Sequence, residues 1–239
     1  MARKAKTVAQ APAPVETSDG GLDVAPEAAP EVDWAQAMEA AVLDRALDLA
    51  PSQGWTWPMT RAAGRAAGLS GGETELLLPQ GPADLAALLS RRHDARALAE
   101  LAATDPKALK MRQRIRAGVE ARLLAAAADE PSLRRWAGWL ALPLHAPLAL
   151  RLVWESADVL WRWAGDTATD ENHYSKRAIL AGILVSALAI RLQSGHGAAM
   201  SFVDSRIENV MAFETWKAGL KPGHAMADIA KALGKLRYG

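Results

Sequence analysis

Apolar residues recur along most of this chain at the three- and four-residue spacing of helices, and proline and glycine interrupt the pattern at intervals. Alternating runs of β-branched residues, which would indicate strands, are absent from the sequence. The pattern begins near Val32 and predicts an all-α protein. The predicted helices span residues 33–50, 57–67, 72–77, 82–102, 106–128, 131–141, 144–163, 170–193, 198–217 and 224–237.

Changes in composition divide the chain into segments. Residues 1–32 are rich in alanine, proline and acidic groups and contain almost no large apolar residues, which is typical of a disordered tail. Residues 33–81 are predicted to form an N-terminal bundle of short helices, and residues 82–220 a larger C-terminal helical bundle. Pro222 then interrupts the helical pattern, and residues 223–238 are predicted to form a separate amphipathic helix.

Composition narrows the classes of function. Half of the 239 residues are hydrophobic, which is enough for a sizeable core, and the net charge of +1 does not favour nucleic acid as a partner. The chain has no cysteine, which excludes disulfides and thiol chemistry. The histidines are scattered, and Asp170 with His173 provides too few ligands for a metal. We therefore expect no catalytic residues, no metal and no cofactor.

The first residues lack the pattern of a secretory signal, because no apolar segment follows the basic residues at positions 3, 4 and 6. The acidic residues between Glu16 and Glu31 argue against a mitochondrial transit peptide. The apolar run at 178–190 is shorter than the roughly 20 residues that cross a bilayer. These signals indicate a chain that is soluble or at most lies on a membrane, and our assignment is to the bacterial cytoplasm, peripheral on the inner membrane.

The N-terminal bundle has helix-turn-helix spacing. The link AAGLS (66–70) joins the second predicted helix to the third, and the region resembles the DNA-binding unit of TetR-type regulators. The third helix, within GGETELLLP (71–79), carries Glu73 and Glu75 and no basic residue. A helix that enters a DNA groove is expected to be basic or neutral at its tip. We therefore expect a TetR-like fold that does not bind nucleic acid.

The densest polar stretch of the chain is WAGDTATDENHYSKR, residues 163–177. One interpretation is capping between two helices, since Gly165 suits the left-handed end of the first and the acidic and hydroxyl side chains up to Asp170 suit the start of the second. A metal or catalytic site is a second interpretation, against which the small number of ligands counts. A third interpretation comes from a family resemblance.

Several motifs in order carry that resemblance: ALP at 141–143, Asp158 to Trp161, AGDTATDENHYSKR at 164–177, and DSRI at 204–207. With these motifs the chain resembles, over residues 33–220, the coenzyme Q biosynthesis protein nine family. The resemblance implies a TetR-like all-α homodimer with an apolar pocket for isoprenoid quinone lipids. It also implies that these lipids are presented, without catalysis, to the demethoxyubiquinone hydroxylase.

By position, the partner-binding surface of that family falls on Asp170, Asn172, His173 and Tyr174. This chain departs from the family pattern at His173, where relatives typically carry tryptophan, and at Ser175, where threonine is usual. Because tryptophan is a typical interface anchor, the substitution is expected to affect the strength of partner binding more than its location.

The predicted helix 170–193 contains the apolar run AILAGILVSALAI (178–190). A helix that is apolar on all faces is expected to be buried, and the small residues of this run leave room for a cavity against neighbouring helices. A tightly packed core of alanine and leucine is the alternative. The residues that we predict to bind lipid are Trp161, Ile179, Gly182, Ile183, Ser186 and Ile190.

The last predicted helix, in HAMADIAKALGKLRYG (224–239), has apolar residues on one face and basic residues off that face. This pattern suits the surface of an anionic membrane. Packing of the apolar face on the domain or on a second subunit is the alternative. The predicted membrane-binding residues are Met226, Ile229, Lys231, Leu233, Lys235 and Leu236.

These observations lead us to expect a non-enzymatic, lipid-binding accessory protein of ubiquinone biosynthesis that acts at the membrane surface. A TetR-class transcriptional regulator with a small apolar ligand is the first alternative, and the acidic third helix counts against it. An enzyme of isoprenoid metabolism is the second, and the lack of an acid–base or metal constellation in the sequence counts against that.

Overall fold

A computed structural model describes the backbone of residues 34–166 and 171–219 and the side chains of residues 34–166 and 173–209. All regular structure in these ranges is helical, which confirms the predicted all-α class. The helices are α1 (Trp34–Gln53), α2 (Trp57–Ala66), α3 (Gly71–Leu77), α4 (Pro82–Leu101), α5 (Met111–Ala127), α6 (Glu130–Leu140), α7 (Ala146–Trp163) and α8 (Glu171–Gly219).

Proline and glycine account for the main differences from the predicted helix boundaries. Short 3-10 turns at Pro106–Ala108 and Pro143–His145 precede α5 and α7, where helices starting at 106 and 144 were predicted. The predicted helices 170–193 and 198–217 are joined as α8, and only Gly195 departs from helical backbone within it (φ 85°, ψ 176°). A positive φ of this kind is readily adopted by glycine. The predicted tail and last helix lie outside the described residues.

The third helix begins with a capping box. Ser70 Oγ accepts from the Glu73 backbone N at 3.2 Å, and the Glu73 carboxylate accepts from the Ser70 backbone N at 2.8 Å. The hydrogen bonds from Ser70 hold the pKa of Glu73 below its ordinary value. Glu73, one of the two acidic residues that count against DNA binding, is therefore part of the helix start.

Close contact between α2 and α3 fixes the geometry of the N-terminal unit. A Cβ atom at Gly64 would lie 2.1 Å from Thr74 Oγ1, so the approach of the two helices requires glycine at that position. The Glu75 carboxylate accepts from Arg61 Nε at 3.0 Å, which ties the exposed side of α3 to α2. The carboxylates of α3 thus have structural roles, and the expectation that this unit does not bind nucleic acid stays a prediction.

Two clusters of buried apolar side chains hold the helices together. The first joins α1 to α4 with α6 and α7 and includes Leu43, Met59 and Leu133. The second joins the end of α4 with α5, α7 and α8 and includes Leu160 and Leu184. The first cluster crosses the predicted boundary between residues 81 and 82, so the N-terminal helices pack directly on the larger bundle. The TetR-like character of this arrangement stays a prediction.

Helix α8 is buried on one side only, contrary to the expectation from its composition. Leu180 and Ala187 are buried, whereas Val185 is 56% exposed and Ile179 is 42% exposed. By length and composition alone, residues 173–209 would suffice to cross a membrane, although a single such helix is a weak indication because core helices of soluble proteins share these properties. An apolar sequence indicates that a helix has apolar neighbours, but it does not show how many sides they cover.

Candidate functional site

An apolar cavity with a volume of about 260 Å³ lies where α4, α5, α6, α7 and α8 meet. Most of its lining consists of aliphatic and aromatic side chains, to which Arg122, Ser90 and Ser156 add polar groups. Cavities between helices that are mostly apolar and have a few polar groups are typical of small-molecule sites. The large apolar side chains of the lining include Trp136, Leu140, Leu152, Leu184, Leu188 and Leu192.

The polar groups of the cavity form a buried cluster. Arg122 Nε donates to Asp94 Oδ1 at 2.6 Å, and Ser156 Oγ donates to Asp94 Oδ2 at 2.9 Å. Arg122 Nη2 approaches the carbonyl oxygen and Oγ of Ser90 at 3.5 and 3.4 Å. The side chains of Arg122 and Asp94 are only 9% and 8% exposed, so the guanidinium charge is balanced inside the protein. Because the lining residues Ser90, Arg122 and Ser156 are themselves buried, we call this part of the lining the closed end of the cavity, and Asp94 lies behind it.

In contrast to the buried polar end, the part of the lining that reaches the surface is apolar. Ala141, Val185 and Ala189 line the cavity and are exposed, so they mark its mouth. The segment between α6 and α7 supplies Ala141 and is itself apolar and exposed. Next in sequence to the lining residues Ala141 and Ala149, or close to them, are three exposed leucines, namely Leu142, Leu144 and Leu150, which are 51%, 83% and 69% exposed.

His93 lies next to the charged pair at the closed end. Its side chain is fully buried, and Nε2 lies 3.0 Å from Asp129 Oδ2, which also accepts from Arg96 Nη1 at 2.7 Å. Burial, together with the charge of Arg122, lowers the pKa of His93 to about 3, against the opposing effect of Asp129. His93 is therefore neutral at physiological pH. The charges of the cluster are then those of Arg96, Arg122, Asp94 and Asp129.

The residues predicted to bind lipid do not line this cavity. On α8 the lining consists of Leu184, Val185, Leu188, Ala189 and Leu192. At about 100° per residue, the predicted positions 179, 183, 186 and 190 centre roughly half a turn away from that face, and Gly182 lies about a quarter of a turn from it. That they bind lipid stays a prediction, and the cavity takes its α8 lining from other positions of the same helix.

The residues predicted to bind lipid have other surroundings. Ile183 is buried in the second core cluster, and Trp161 and Ile190 pack against the same cluster. Gly182 is exposed, and a Cβ atom at that position would meet nothing within 4 Å. The small side chains of α8 occur around its whole circumference, so their spacing does not select a side.

The polar stretch after α7 surrounds a buried arginine. Arg177 is 2% exposed, and its Nε donates to Asp158 Oδ1 at 2.6 Å while Nη1 donates to Asp166 Oδ2 at 3.2 Å. Lys176 Nζ donates to Asp166 Oδ1 at 2.8 Å. Burial would raise the pKa of Asp166, but the hydrogen bonds and charges of Lys176 and Arg177 outweigh it and hold the pKa below its ordinary value. Much of the polar stretch thus fastens α7 to α8.

Gly165 ends α7 as the capping interpretation predicted. Its φ of 86° is left-handed, and its backbone N donates to Arg162 O at 3.0 Å. Arg114 Nη1 donates to the neighbouring Ala164 O at 2.7 Å, so α5 also binds the end of α7. The predicted capping residues from 167 to 170 lie outside the described residues.

The predicted partner surface is described only in part. Asp170 and the side chain of Asn172 lie outside the described residues. Tyr174 is 64% exposed, and its ring stacks on Trp154 with a centroid distance of 6.2 Å and meets the His173 ring edge-on at 5.1 Å. Trp154 was not among the predicted residues, because it lies on another helix and no spacing in the sequence connects it to Tyr174.

Residues 146–214, which include α7 and most of α8, match the sequence model of the COQ9 family. A Xenopus laevis protein named ubiquinone biosynthesis protein COQ9-B, mitochondrial, is 28% identical over 79% of this chain and 68% of its own length. The predicted relationship to the COQ9 family is confirmed. The Rattus norvegicus and Homo sapiens COQ9 proteins are 29% and 25% identical over 71% of this chain, which spans 57% and 56% of their lengths.

The names of the COQ9 relatives bear on two expectations. Each is named a ubiquinone biosynthesis protein, which supports a role of this chain in that process. Each is also named mitochondrial, which contradicts the predicted location in the bacterial cytoplasm. The prediction of location is therefore wrong. It used the composition of the first 32 residues, and that composition alone does not determine a compartment.

The sequence did not lead us to predict the polar end of the cavity, although it contains one indication of it: charged residues on the apolar faces of two helices. Arg122 follows Ile115 and Val119 at helical spacing, so it lies on the apolar face of α5. Asp94 occupies a similar position on α4, between Ser90 and Ala97. A charged residue on an apolar helix face indicates a buried partner, but the sequence does not identify that partner.

Proposed function

We propose that this protein is a non-enzymatic, lipid-binding accessory protein of ubiquinone biosynthesis. It binds an isoprenoid quinone intermediate in the cavity between α4 and α8 and presents it to the demethoxyubiquinone hydroxylase. The observation that carries this proposal is an apolar cavity with a buried polar end, in a chain related to proteins named for ubiquinone biosynthesis.

The size of the cavity favours a carrier that holds part of its ligand. Its volume of about 260 Å³ lies just below the roughly 300–1,000 Å³ of typical small-molecule sites. A long isoprenoid quinone does not fit entirely into that space. Part of the molecule is enclosed, and the rest lies on the apolar mouth, where Leu142, Leu144 and Leu150 are exposed. A ligand that remains partly outside is accessible to a partner protein.

The chemistry of the closed end favours binding over catalysis. Asp94 accepts from both Arg122 and Ser156 and is not itself part of the cavity lining, so it is not placed to act as a base on a ligand. His93 has its Nε2 directed to Asp129 and away from the lining. The side chains at the closed end are thus arranged to hold a ligand and to balance charge.

The exposed aromatic group beside the polar stretch is the proposed surface for the hydroxylase. Tyr174 and its neighbours His173 and Trp154 form an aromatic cluster on the outside of α7 and α8. The buried ion pairs of Arg177 fix the backbone directly behind it. Exposed aromatic residues on a rigid support are typical anchors of protein interfaces.

Two further surfaces complete the proposal. The exposed side of α8 is apolar and carries small residues such as Gly182, which permits close approach of a second copy of the chain in a homodimer. The amphipathic segment 223–238 is proposed to bind an anionic membrane surface. The exposed leucines at the cavity mouth would then face the source of the apolar ligand.

Mass spectrometry of lipid that co-purifies with the protein tests the proposed function. The protein is purified in mild detergent-free buffer from a host that makes ubiquinone, and the bound lipid is extracted with organic solvent. We expect isoprenoid quinones or their biosynthetic precursors, enriched over the phospholipids of the host. Recovery of phospholipids alone, or of no lipid, would contradict the proposal.

A further inference from the structure

We propose that the cavity binds its ligand with an uncharged, oxygen-bearing head group at the closed end, where Arg122 Nη1 donates hydrogen bonds to it. The tail of the ligand then leaves through the apolar mouth. This inference rests on the proposed lipid-binding function and adds to it the orientation and the charge of the ligand.

The first support is a free donor on a buried arginine. Arg122 uses Nε for Asp94 and Nη2 for Ser90, and no described residue accepts from Nη1. Among the described residues, the buried side-chain atoms that lack both a partner and access to open space are His93 Nδ1 and Arg191 Nε. Because Arg122 Nη1 is not one of them and Arg122 lines the cavity, we infer that this nitrogen is open to the cavity space.

The second support is the balance of charge around that donor. Asp94 neutralises Arg122, and Asp129 neutralises Arg96 behind it. His93 adds no charge, because burial and the charge of Arg122 keep its pKa far below neutrality. The cluster is therefore neutral before any ligand enters.

This balance selects against charged head groups. A carboxylate or phosphate at Nη1 would lie beside the Asp94 carboxylate with a single guanidinium for both, which leaves one buried negative charge without a partner. A cationic head group would be repelled by Arg122. Burying an unpaired charge is strongly unfavourable, whereas a carbonyl, methoxy or phenol oxygen accepts a hydrogen bond from a guanidinium without adding charge.

The hydroxyl groups at the closed end fit the same class of ligand. Ser156 Oγ uses its proton for Asp94 and keeps lone pairs with which to accept. A phenol or quinol hydroxyl can donate to such an oxygen, and a quinone carbonyl can accept from Arg122 Nη1. Fatty acids, phospholipids and prenyl phosphates have no comparable partner here and would have to enter with their tails first.

Calorimetric titration of the intact, delipidated protein tests the inference with ligands that differ only in the head group. A benzoquinone, a carboxylate and a phosphate that carry the same decyl chain are compared. We expect the quinone to bind at least about tenfold more tightly than either anion. Equal affinities, or tighter binding of an anion, would overturn the inference while leaving lipid binding intact. If none of the three binds, the proposed function itself fails.

An Asp94→Asn variant is expected to shift the preference of the cavity from uncharged towards anionic head groups. Removal of the Asp94 charge leaves Arg122 unbalanced, so the affinity for the decyl carboxylate should rise by about tenfold, while that for the quinone changes much less. Asp129→Asn is the matched control, because Asp129 pairs with His93 and Arg96 and, unlike Asp94, accepts no hydrogen bond from Arg122. An equal rise in both variants, or none in Asp94→Asn, would contradict the inference. Circular dichroism establishes that both variants are folded, and the ligand series on the unaltered protein decides the question if either is not.

Discussion

Arg177 Nε lies 2.6 Å from Asp158 Oδ1, and this ion pair joins the start of α8 to the middle of α7. Arg177 is 2% exposed and also donates to Asp166, so one buried cation holds the turn at the end of α7 from two sides. The exposed ring of Tyr174 lies on the same turn of α8 as this arginine. The ion pairs of the polar stretch therefore hold α7 and α8 together, and they support the turn that carries the proposed partner surface.

Replacement of Asp158 by alanine should destabilise the protein. Loss of one partner of a buried pair costs about 3–5 kcal/mol when the remaining charge is left alone, and we expect about 2 kcal/mol here because Asp166 still neutralises Arg177. Urea unfolding followed by circular dichroism measures the change. The double variant Asp158→Ala with Arg177→Met should recover part of the loss. Wild-type stability of the Asp158→Ala protein would show that the pair is not formed.

Because the pKa of His93 is lowered in the folded protein, we predict that the free energy of unfolding depends on pH. Its ordinary pKa is 6.5, and burial lowers it to about 3 in the folded protein. As the pH falls below 6.5, the unfolded chain binds a proton that the folded protein does not. The free energy of unfolding should therefore decrease by up to about 1.4 kcal/mol per pH unit until the pH approaches 3. Above pH 6.5 the contribution of His93 is constant.

Urea titrations at about pH 7 and about pH 5.5 measure this effect, because few carboxylates titrate in that interval. The control is His93→Gln, which keeps a polar side chain but has no proton to bind. It should be less sensitive to this change of pH than the unaltered protein. The same sensitivity in both proteins would show that His93 is not the group responsible.

Tyr174 is expected to contribute to binding of the hydroxylase. Loss of an anchoring aromatic side chain typically costs about 2 kcal/mol, so Tyr174→Ala should weaken the complex by roughly 30-fold. Leu76→Ala is the matched control, because Leu76 is also highly exposed but lies on α3. Surface plasmon resonance with immobilised hydroxylase compares the two. Equal affinities of Tyr174→Ala and the control would place the interface elsewhere.

Deletion of residues 222–239 should remove binding to anionic vesicles and leave a folded protein that still carries lipid. The segment contributes Lys231, Lys235 and Arg237, and each basic residue adds up to about 1 kcal/mol near an anionic surface. Flotation at low salt measures the effect. Lys231→Gln with Lys235→Gln, which retains the apolar face, should weaken flotation without abolishing it. Unaltered flotation of the truncated protein, or its unfolding, would contradict membrane binding by this segment.

The helices were largely predictable because local rules determine them. Apolar spacing, prolines at helix starts and the glycine at 165 placed most boundaries within a few residues of those observed. The break at Gly195 was expected to be wider, since two separate helices were predicted there. A single glycine changes the backbone direction without unwinding the turns on either side.

The cavity was less predictable, because its position depends on packing between distant residues. The run 178–190 is apolar on every side, and the neighbouring helices decide which side is covered. Arg122 and Asp94 are 28 residues apart on different helices, and no sequence spacing pairs them. The family motif contained both Asp158 and Arg177, but their ion pair also becomes visible only in the folded chain.

The central claim is that lipid occupies the cavity lined by α6, α7 and the face of α8 at Leu184 and Leu188. Mass spectrometry of the lipid bound to two purified variants tests it most directly. Ala149→Phe places a large side chain in the lining, whereas Gly182→Phe adds the same side chain where a Cβ atom meets nothing within 4 Å.

We expect Ala149→Phe to lose most of its bound lipid and Gly182→Phe to retain it, with both proteins helical by circular dichroism. Overpacking by the phenylalanine at position 149 is expected to cost about 1–3 kcal/mol, so thermal unfolding is recorded for both. A folded Ala149→Phe protein with wild-type lipid occupancy would contradict the claim. Loss of lipid from Gly182→Phe alone would contradict it as well, and would place the ligand elsewhere along α8.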